Sequence, residues 1–426
     1  MRHLDDGPRR RAAITIIDQM VSSLTNFAAT LAAARLLGPE GLGVVALGIA
    51  IAYGAVAFTR GVIGESLLVF QQDDVIEGAL TAAIVVGLVG SSVCVIVAVV
   101  GGGRVMDPLL LLGAAFPLLT FQDTTRYVFF RHARPSLALL SDLLWAVGQA
   151  IALVLVASEK MPTPSGVVMT WVVGIAVSSV FGALLLRPAI RISEAKRWFR
   201  VSRRLSAWVA GQSVVAQAGQ QVSFVIVGLF VSLRVLGVVR AAQALLAPVV
   251  MFFTVFRVIG LSELGRHDGP MSSVLRTAVR MSLAAGGVAI VYAVFLIRER
   301  DVIVSKVFGP SFAPYNGIAI PASLAALAFA VAVGPEIGNR AIAAGRNVFI
   351  SQVAATLVGV PMMVGLAVAG GPVGAVWGIA GQRGVWAVTA WATFLVSGYG
   401  RGWTSQRAVQ PTQTPAIPTA SSVDKT

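Results

Sequence analysis

Arg9-Arg10 opens a long apolar stretch that leads into Leu42-Gly43-Val44-Val45, and Arg203-Arg204 opens another that leads into Leu236-Gly237-Val238-Val239. The second passage follows the first by 194 residues, counted from Leu42 to Leu236. Val62-Ile63-Gly64 is answered by Val258-Ile259-Gly260, with the offset lengthened by two residues. Each half of the chain thus enters its first long apolar segment from a basic cluster and in the same direction. Two like-oriented halves leave a seam between them, and in many membrane proteins such a seam carries the substrate path.

Of the 426 residues, 56% are hydrophobic and 12% charged, against about 25% charged in soluble domains. Apolar runs of the roughly 20 residues needed to span a bilayer recur from end to end. The chain reads as an all-α polytopic integral membrane protein. Ala12–Leu37 exceeds the apolar core of a cleavable signal peptide, and many further spans follow. Cys94 is the only cysteine, which excludes an intrachain disulfide. His3, His132 and His267 fall in polar connections, with no metal-ligand cluster and no G-x-x-x-x-G-K-[ST] phosphate loop. No cofactor is therefore expected, and work must come from a gradient or a partner. The net charge of +14 does not point to nucleic acid, because the basic residues sit in short connections between spans.

About twelve spans are predicted in two sets of six. The first set runs from Ala12–Leu37 and Leu42–Val69 to Gly166–Leu186. The second runs from Leu205–Phe230 and Val235–Ile259 through Pro314–Val333 to Val348–Ala369 and Val373–Ser397. Residues 1–186 then form one six-helix lobe and 205–398 a pseudo-symmetric second, joined by the basic linker 187–204. The tail 399–426, rich in Thr, Pro, Ser and Gln, reads as disordered. Arg131, Arg134, Arg340, Arg346, Arg401, Arg407 and the linker's Arg187, Arg191, Lys196, Arg197, Arg200, Arg203 and Arg204 share one side. The positive-inside rule makes that side cytoplasmic, with both termini. The linker is read as a loop whose charges set topology first and touch anionic headgroups second.

Ionisable side chains inside spans are costly and therefore candidates for function. Arg60 lies about 14 Å deep in span two at 1.5 Å per residue. Arg240 falls in the outer half of span eight, Arg383 near the middle of span twelve, and Arg257 near a membrane edge. Guanidinium groups at staggered depths suit a phosphate-bearing substrate, since each stays charged and binds oxygens bidentately. Each could equally be neutralised by a neighbouring helix. Asp123 and Arg126, three apart on span four, are expected to pair on one face, with Arg126 the more interesting member. Asp18 on span one is either a protonatable coupling group or the counter-ion of Arg60. Glu65 and Asp142 are placed at the interface. Gln212, Gln217, Gln220 and Gln221 on span seven, with Asn26, Gln149 and Gln243, can hydrogen-bond sugar hydroxyls or neighbouring helices, and Gln212 and Gln220 are taken as substrate candidates. Gly370, Gly374 and Gly378 form a small-residue stripe for close helix packing.

Several passages carry a family likeness. Asp18-Gln19, Asn26-Phe27 and Ala34-Arg35-Leu36-Leu37-Gly38-Pro39-Glu40-Gly41-Leu42-Gly43 resemble the opening helix and exit turn of the Wzx-type polysaccharide flippases, members of the MATE-like (MOP) exporter superfamily. Phe121-Gln122-Asp123-Thr124-Thr125-Arg126-Tyr127 with Arg134-Pro135 resembles their fourth helix, and Leu236-Gly237, Ala241-Ala242-Gln243 and Pro248 their eighth. Phe308-Gly309 and Gly345-Arg346 are similar to the connections flanking the tenth. The resemblance implies two six-helix bundles in a V around an alternating cavity in a bacterial plasma membrane. It implies an undecaprenyl-diphosphate-linked oligosaccharide as substrate for surface polysaccharide synthesis, a proton or sodium ion for coupling, and a polysaccharide polymerase as a partner.

Two other functions compete. A cation-coupled multidrug exporter of the same superfamily should favour acidic and aromatic cavity residues over arginine. A membrane-embedded polymerase or glycosyltransferase should carry a large outer loop or catalytic carboxylates, and the outer connection around Arg298–Ala313 is short, with only Glu299 and Asp301.

Overall fold

A computed structural model describes residues 8–69, 75–159, 161–202, 221–265, 271–342 and 344–401. Every regular element among them is helical. The N-terminal half holds α1 (Pro8–Thr59), a π-turn (Arg60–Gly64), α2 (Glu65–Val69), α3 (Ile76–Gly101), α4 (Gly103–Arg131), α5 (Pro135–Ala157) and α6 (Pro164–Leu186). A linker helix, α7, covers 192–202. The C-terminal half holds a helical piece at 221–231, then α8 (Leu233–Gly265), α9 (Met271–Arg298), α10 (Arg300–Phe308), a 3-10 stretch (Pro310–Ile318), α11 (Ala319–Ala341) and α12 (Gly345–Arg401).

The 52 residues of α1 would span about 78 Å if straight, more than twice the roughly 30 Å apolar thickness of a bilayer. The helix breaks at Gly38, whose φ of 68° and ψ of −173° are far from helical, and Pro39 restarts it. Gly371, with φ 61° and ψ −147°, and Pro372 do the same inside the 57 residues of α12. Both helices are hairpins with two membrane-crossing arms. Those of α12 touch closely: a β-carbon on Gly374 would lie 2.0 Å from the Leu366 carbonyl oxygen, and one on Gly378 2.3 Å from Met363 Cα. Gly374 and Gly378 of the expected small-residue stripe therefore form a helix contact, whereas a β-carbon on Gly370 would meet nothing within 4 Å.

Nine helical segments among the described residues are long and apolar enough to cross a membrane, and two of these contain the hairpins. They carry eleven crossings, and most of the seventh expected span, Leu205–Phe230, lies outside the described residues. The expected tail also lies almost entirely outside them. The tenth expected span, Pro314–Val333, lies within the helical segment Pro310–Ala341, which is 3-10 up to Ile318 and α-helical from Ala319.

The two halves meet where the sequence repeats itself. A β-carbon on Gly43 would sit 1.7 Å from the Leu233 carbonyl oxygen, and one on Gly237 1.8 Å from that of Pro39. Around this crossing Arg35 donates to the carbonyls of Lys306 and Val307, the latter at 2.8 Å. Glu40 accepts from Arg104 at 2.6 Å and lies 3.9 Å from Arg234 of the other half. The halves are sealed at the end of the molecule opposite the basic linker.

The linker differs from the expected loop. Residues 192–202 form a helix that buries Ala195, Trp198 and Ser202. These side chains recur at i, i+3 and i+7, which places them on one face. That face lies on the first turn of α3, where a β-carbon on Gly78 would be 2.8 Å from the Glu194 carbonyl and 3.3 Å from Trp198 Cβ.

Candidate functional site

Five charged side chains gather within the N-terminal half. Arg60, on the π-turn after the second arm of α1, grips Asp123 of α4: Nε lies 3.1 and 3.0 Å from the two carboxylate oxygens, and Nη2 2.6 Å from Oδ1. Arg126, one turn further along α4, donates from Nη2 to Asp18 Oδ2 at 2.6 Å. Its Nε is 3.2 Å from Asp142 Oδ1 on α5, a charge contact without hydrogen-bond alignment. Arg126 is only 3.9 Å from Asp123, so the expected pair within α4 is the weakest of these contacts. Asp18 is the counter-ion of Arg126, which settles one expected alternative against Arg60 as its partner. Asp142 was expected at the interface and is instead buried within this network, with Gln122 and Ser141 beside it.

The sum of charges is informative. Three carboxylates face two guanidinium groups, and Asp18 Oδ1 and Asp142 Oδ2 are buried with no hydrogen-bond donor. Buried carboxylate oxygens without a donor are costly, and so is an unbalanced charge. One proton or one monovalent cation would neutralise the cluster.

The arginines of the C-terminal half are held differently. Arg240, on α8, reaches Gln243 Oε1 at 3.3 Å and Thr30 Oγ1 at 3.5 Å, and its guanidinium lies 6.0 Å from the centre of the Tyr53 ring. Its Nε is buried without a partner. Arg383, on the second arm of α12, lies over Phe329 at 5.1 Å and Trp386 at 5.8 Å. Glu336, the carboxylate that acts on Arg383 electrostatically, is taken up by Arg340 at 3.0 Å. Among the described residues, neither Arg240 nor Arg383 has a carboxylate within ion-pair distance. Aromatic faces hold the cations through their quadrupoles and leave the charge unneutralised.

One chain of adjoining cavities connects the two groups, with Tyr53 bordering each. A space of about 70 Å³ is lined by Arg60, Asp123, Arg126, Asp142, Trp145 and Trp171. Another of about 240 Å³ shares Asn26 with the first and adds Thr30, Arg240 and Gln243. The largest, about 280 Å³, runs from Tyr53 past Gln221 and Arg240 to Phe329 and Arg383. Tyr53, Trp171 and Trp145 form a run of edge-on rings with centroids 6.2 and 6.1 Å apart. Four of the expected residues, Arg60, Arg126, Arg240 and Arg383, thus face one connected space. Gln212 and Gln220 lie outside the described residues, as does the Arg257 side chain. The aromatic wall and the roles of Asp123 and Asp142 were not anticipated; the cue was an acid three residues before Arg126 and another on the following span.

No protein-family model and no curated protein matches the chain. Its fold does match solved structures. A structure described as the inward-facing conformation of a multidrug resistance MATE family transporter of the MOP superfamily aligns with TM-score 0.69 at 13% identity, covering 91% of this chain and 98% of that one. A structure described as the outward-facing conformation of a multidrug resistance MATE family transporter of the MOP superfamily aligns with TM-score 0.57 at 16% identity, covering 92% of this chain and 96% of that one. The lipid II flippase MurJ, in an inward closed conformation, aligns at 0.71 with 12% identity, covering 90% and 89%. The chain is a multi-pass membrane protein whose fold matches that of these MATE-like transporters.

Proposed function

We propose that this protein is a transporter that moves a phosphate-bearing, lipid-linked oligosaccharide across a bacterial plasma membrane by alternating access. The observation that carries this reading is the pair Arg240 and Arg383, two cations in a cavity at the seam with no described carboxylate partner. A membrane-embedded cation without a counter-ion is costly. An anionic ligand removes that cost, and a diphosphate offers oxygens to both guanidinium groups. Arg60 and Arg126 are already paired, so they hold the wall of the cavity, and Arg60 adds its partly exposed edge to the ligand surface. Asn26, Gln243, Gln221 and the rings of Tyr53 and Trp171 offer hydrogen bonds and apolar faces to sugars. The two lobes, 1–186 and 205–398, would rock about the seam, with both termini and the linker on the cytoplasmic side. The spare carboxylate acceptor at Asp18 and Asp142 takes the coupling proton or sodium ion.

Deleting the gene tests the reading. Lipid-linked oligosaccharide should accumulate on the cytoplasmic face, while normal surface glycan in a strain without a second exporter contradicts it. A second reading, a cation-coupled multidrug exporter, is favoured by the three carboxylates and three rings on the N-terminal wall. It requires overexpression to lower sensitivity to cationic dyes, which the first reading does not.

A further inference from the structure

We infer that α7 is an interfacial anchor that binds anionic phospholipid headgroups, a role beyond setting topology and independent of what the cavity carries. Three sides of the helix bear on this role, and the fourth carries Glu194, Arg197 and the exposed Val201. Ala195, Trp198 and Ser202 are buried against the protein. Beside them Ile192 and Phe199, seven residues apart and so on one side of the helix, are 68% and 36% exposed. Beyond those lie Lys196 and Arg200, four apart and both exposed, with Ser193 near them on the far side from the protein. The connection from α6 adds exposed Arg187, Ile190 and Arg191.

A solvated linker has no reason to expose Ile190, Ile192 and Phe199 together, because apolar side chains in water gain nothing there. This helix lies at the first turn of α3 and follows directly from α6, so it sits where membrane spans end. At that level an apolar flank enters the boundary between headgroups and acyl chains, and the neighbouring lysine and arginine reach lipid phosphates. Five basic residues, Arg187, Arg191, Lys196, Arg197 and Arg200, stand against one acid, Glu194, which lies 3.7 Å from Arg197. The charge balance selects an anionic leaflet over a neutral one. Trp198, wedged at Gly78, fixes the rotation of the helix so that this flank meets the lipid.

The test uses the full chain with Cys94→Ala and one reporter cysteine, Phe199→Cys or Ser193→Cys, carrying an environment-sensitive fluorophore. The protein is reconstituted into vesicles of phosphatidylcholine alone or with phosphatidylglycerol, each containing nitroxide-labelled lipid. At position 199 the quenching should be several-fold stronger in the anionic vesicles, and position 193 should be quenched much less. Lys196→Gln with Arg200→Gln should weaken the docking equilibrium about fivefold for each charge removed. Equal quenching at 199 in both lipids, or equal quenching at 193 and 199, overturns the proposal. The glutamine variants keep the helix's polarity, and their monodispersity in detergent separates a lost contact from a lost fold.

Discussion

Gly43 and Gly237, the glycines of the two Leu-Gly-Val-Val passages, occupy the point where the second arm of α1 crosses α8, each lying against the backbone of the other's helix. The repeat is therefore more than a record of two similar halves. Its two copies touch, and only a residue without a β-carbon lets the backbones come so close.

Gly237→Val should break this seal. The added side chain must displace the Pro39 carbonyl, which forces the halves apart on the side away from the linker. With Glu40→Cys, Arg234→Cys and Cys94→Ala introduced together, a short thiol-reactive crosslinker should join the two cysteines in high yield in the parent and in a yield lower by about tenfold with Gly237→Val. An unchanged yield would show that the crossing does not hold the closed form.

Asp123→Asn should destabilise more than Asp18→Asn. Asp123 is the partner that Arg60 grips with both carboxylate oxygens, whereas Arg126 keeps Asp142 when Asp18 is neutralised. Leaving a fully buried charge unpaired costs about 3–5 kcal/mol, and the partly exposed Arg60 should lose less than that. Thermal unfolding in detergent should show that loss, and Arg60→Gln in the same chain should restore part of it. Purely additive effects of the two substitutions would contradict the pairing.

Phe329→Leu should weaken anion binding at Arg383, with a smaller cost in thermal stability because the ring also stacks on Phe253 at 5.3 Å. The stacked ring supplies a cation–π contact worth about 0.5–2 kcal/mol. Titration of a short-chain lipid diphosphate should show an affinity lower by about two- to thirtyfold. An unchanged affinity would remove the aromatic cradle from the site.

Asp142→Asn should uncouple transport from its driving ion. Asp18 and Asp123 would then face Arg60 and Arg126 with balanced charge, leaving no acceptor for an added proton or cation. Initial uptake in vesicles should become insensitive to an imposed proton or sodium gradient. Continued dependence on the same gradient would place coupling elsewhere.

Much of the fold is legible in the sequence because lipid demands long apolar runs, and Gly38-Pro39 and Gly371-Pro372 mark the hairpin turns. The candidate arginines are also legible, since a charge inside an apolar run stands out by itself. Their partners are not. Arg60 meets Asp123 across 63 residues and Asp18 meets Arg126 across 108, contacts fixed by how helices rotate against one another. Position along a span gives depth and says nothing of neighbours, which is why Asp142 was placed at the interface. Tyr53, Trp145 and Trp171 read in the sequence as three more apolar residues. In α7 the charges outnumber the buried positions, so the short pattern of Ala195, Trp198 and Ser202 is hidden among them.

The central claim is that Arg240 and Arg383 receive the anionic group of a lipid-linked saccharide. The direct measurement is the rate at which purified protein in vesicles moves a fluorescent lipid diphosphate saccharide between leaflets. The parent should move it, Arg240→Gln with Arg383→Gln should be slower by about a hundredfold while remaining folded, and an uncharged lipid glycoside should not be carried by either. Translocation by the double variant at the parent rate would contradict the account.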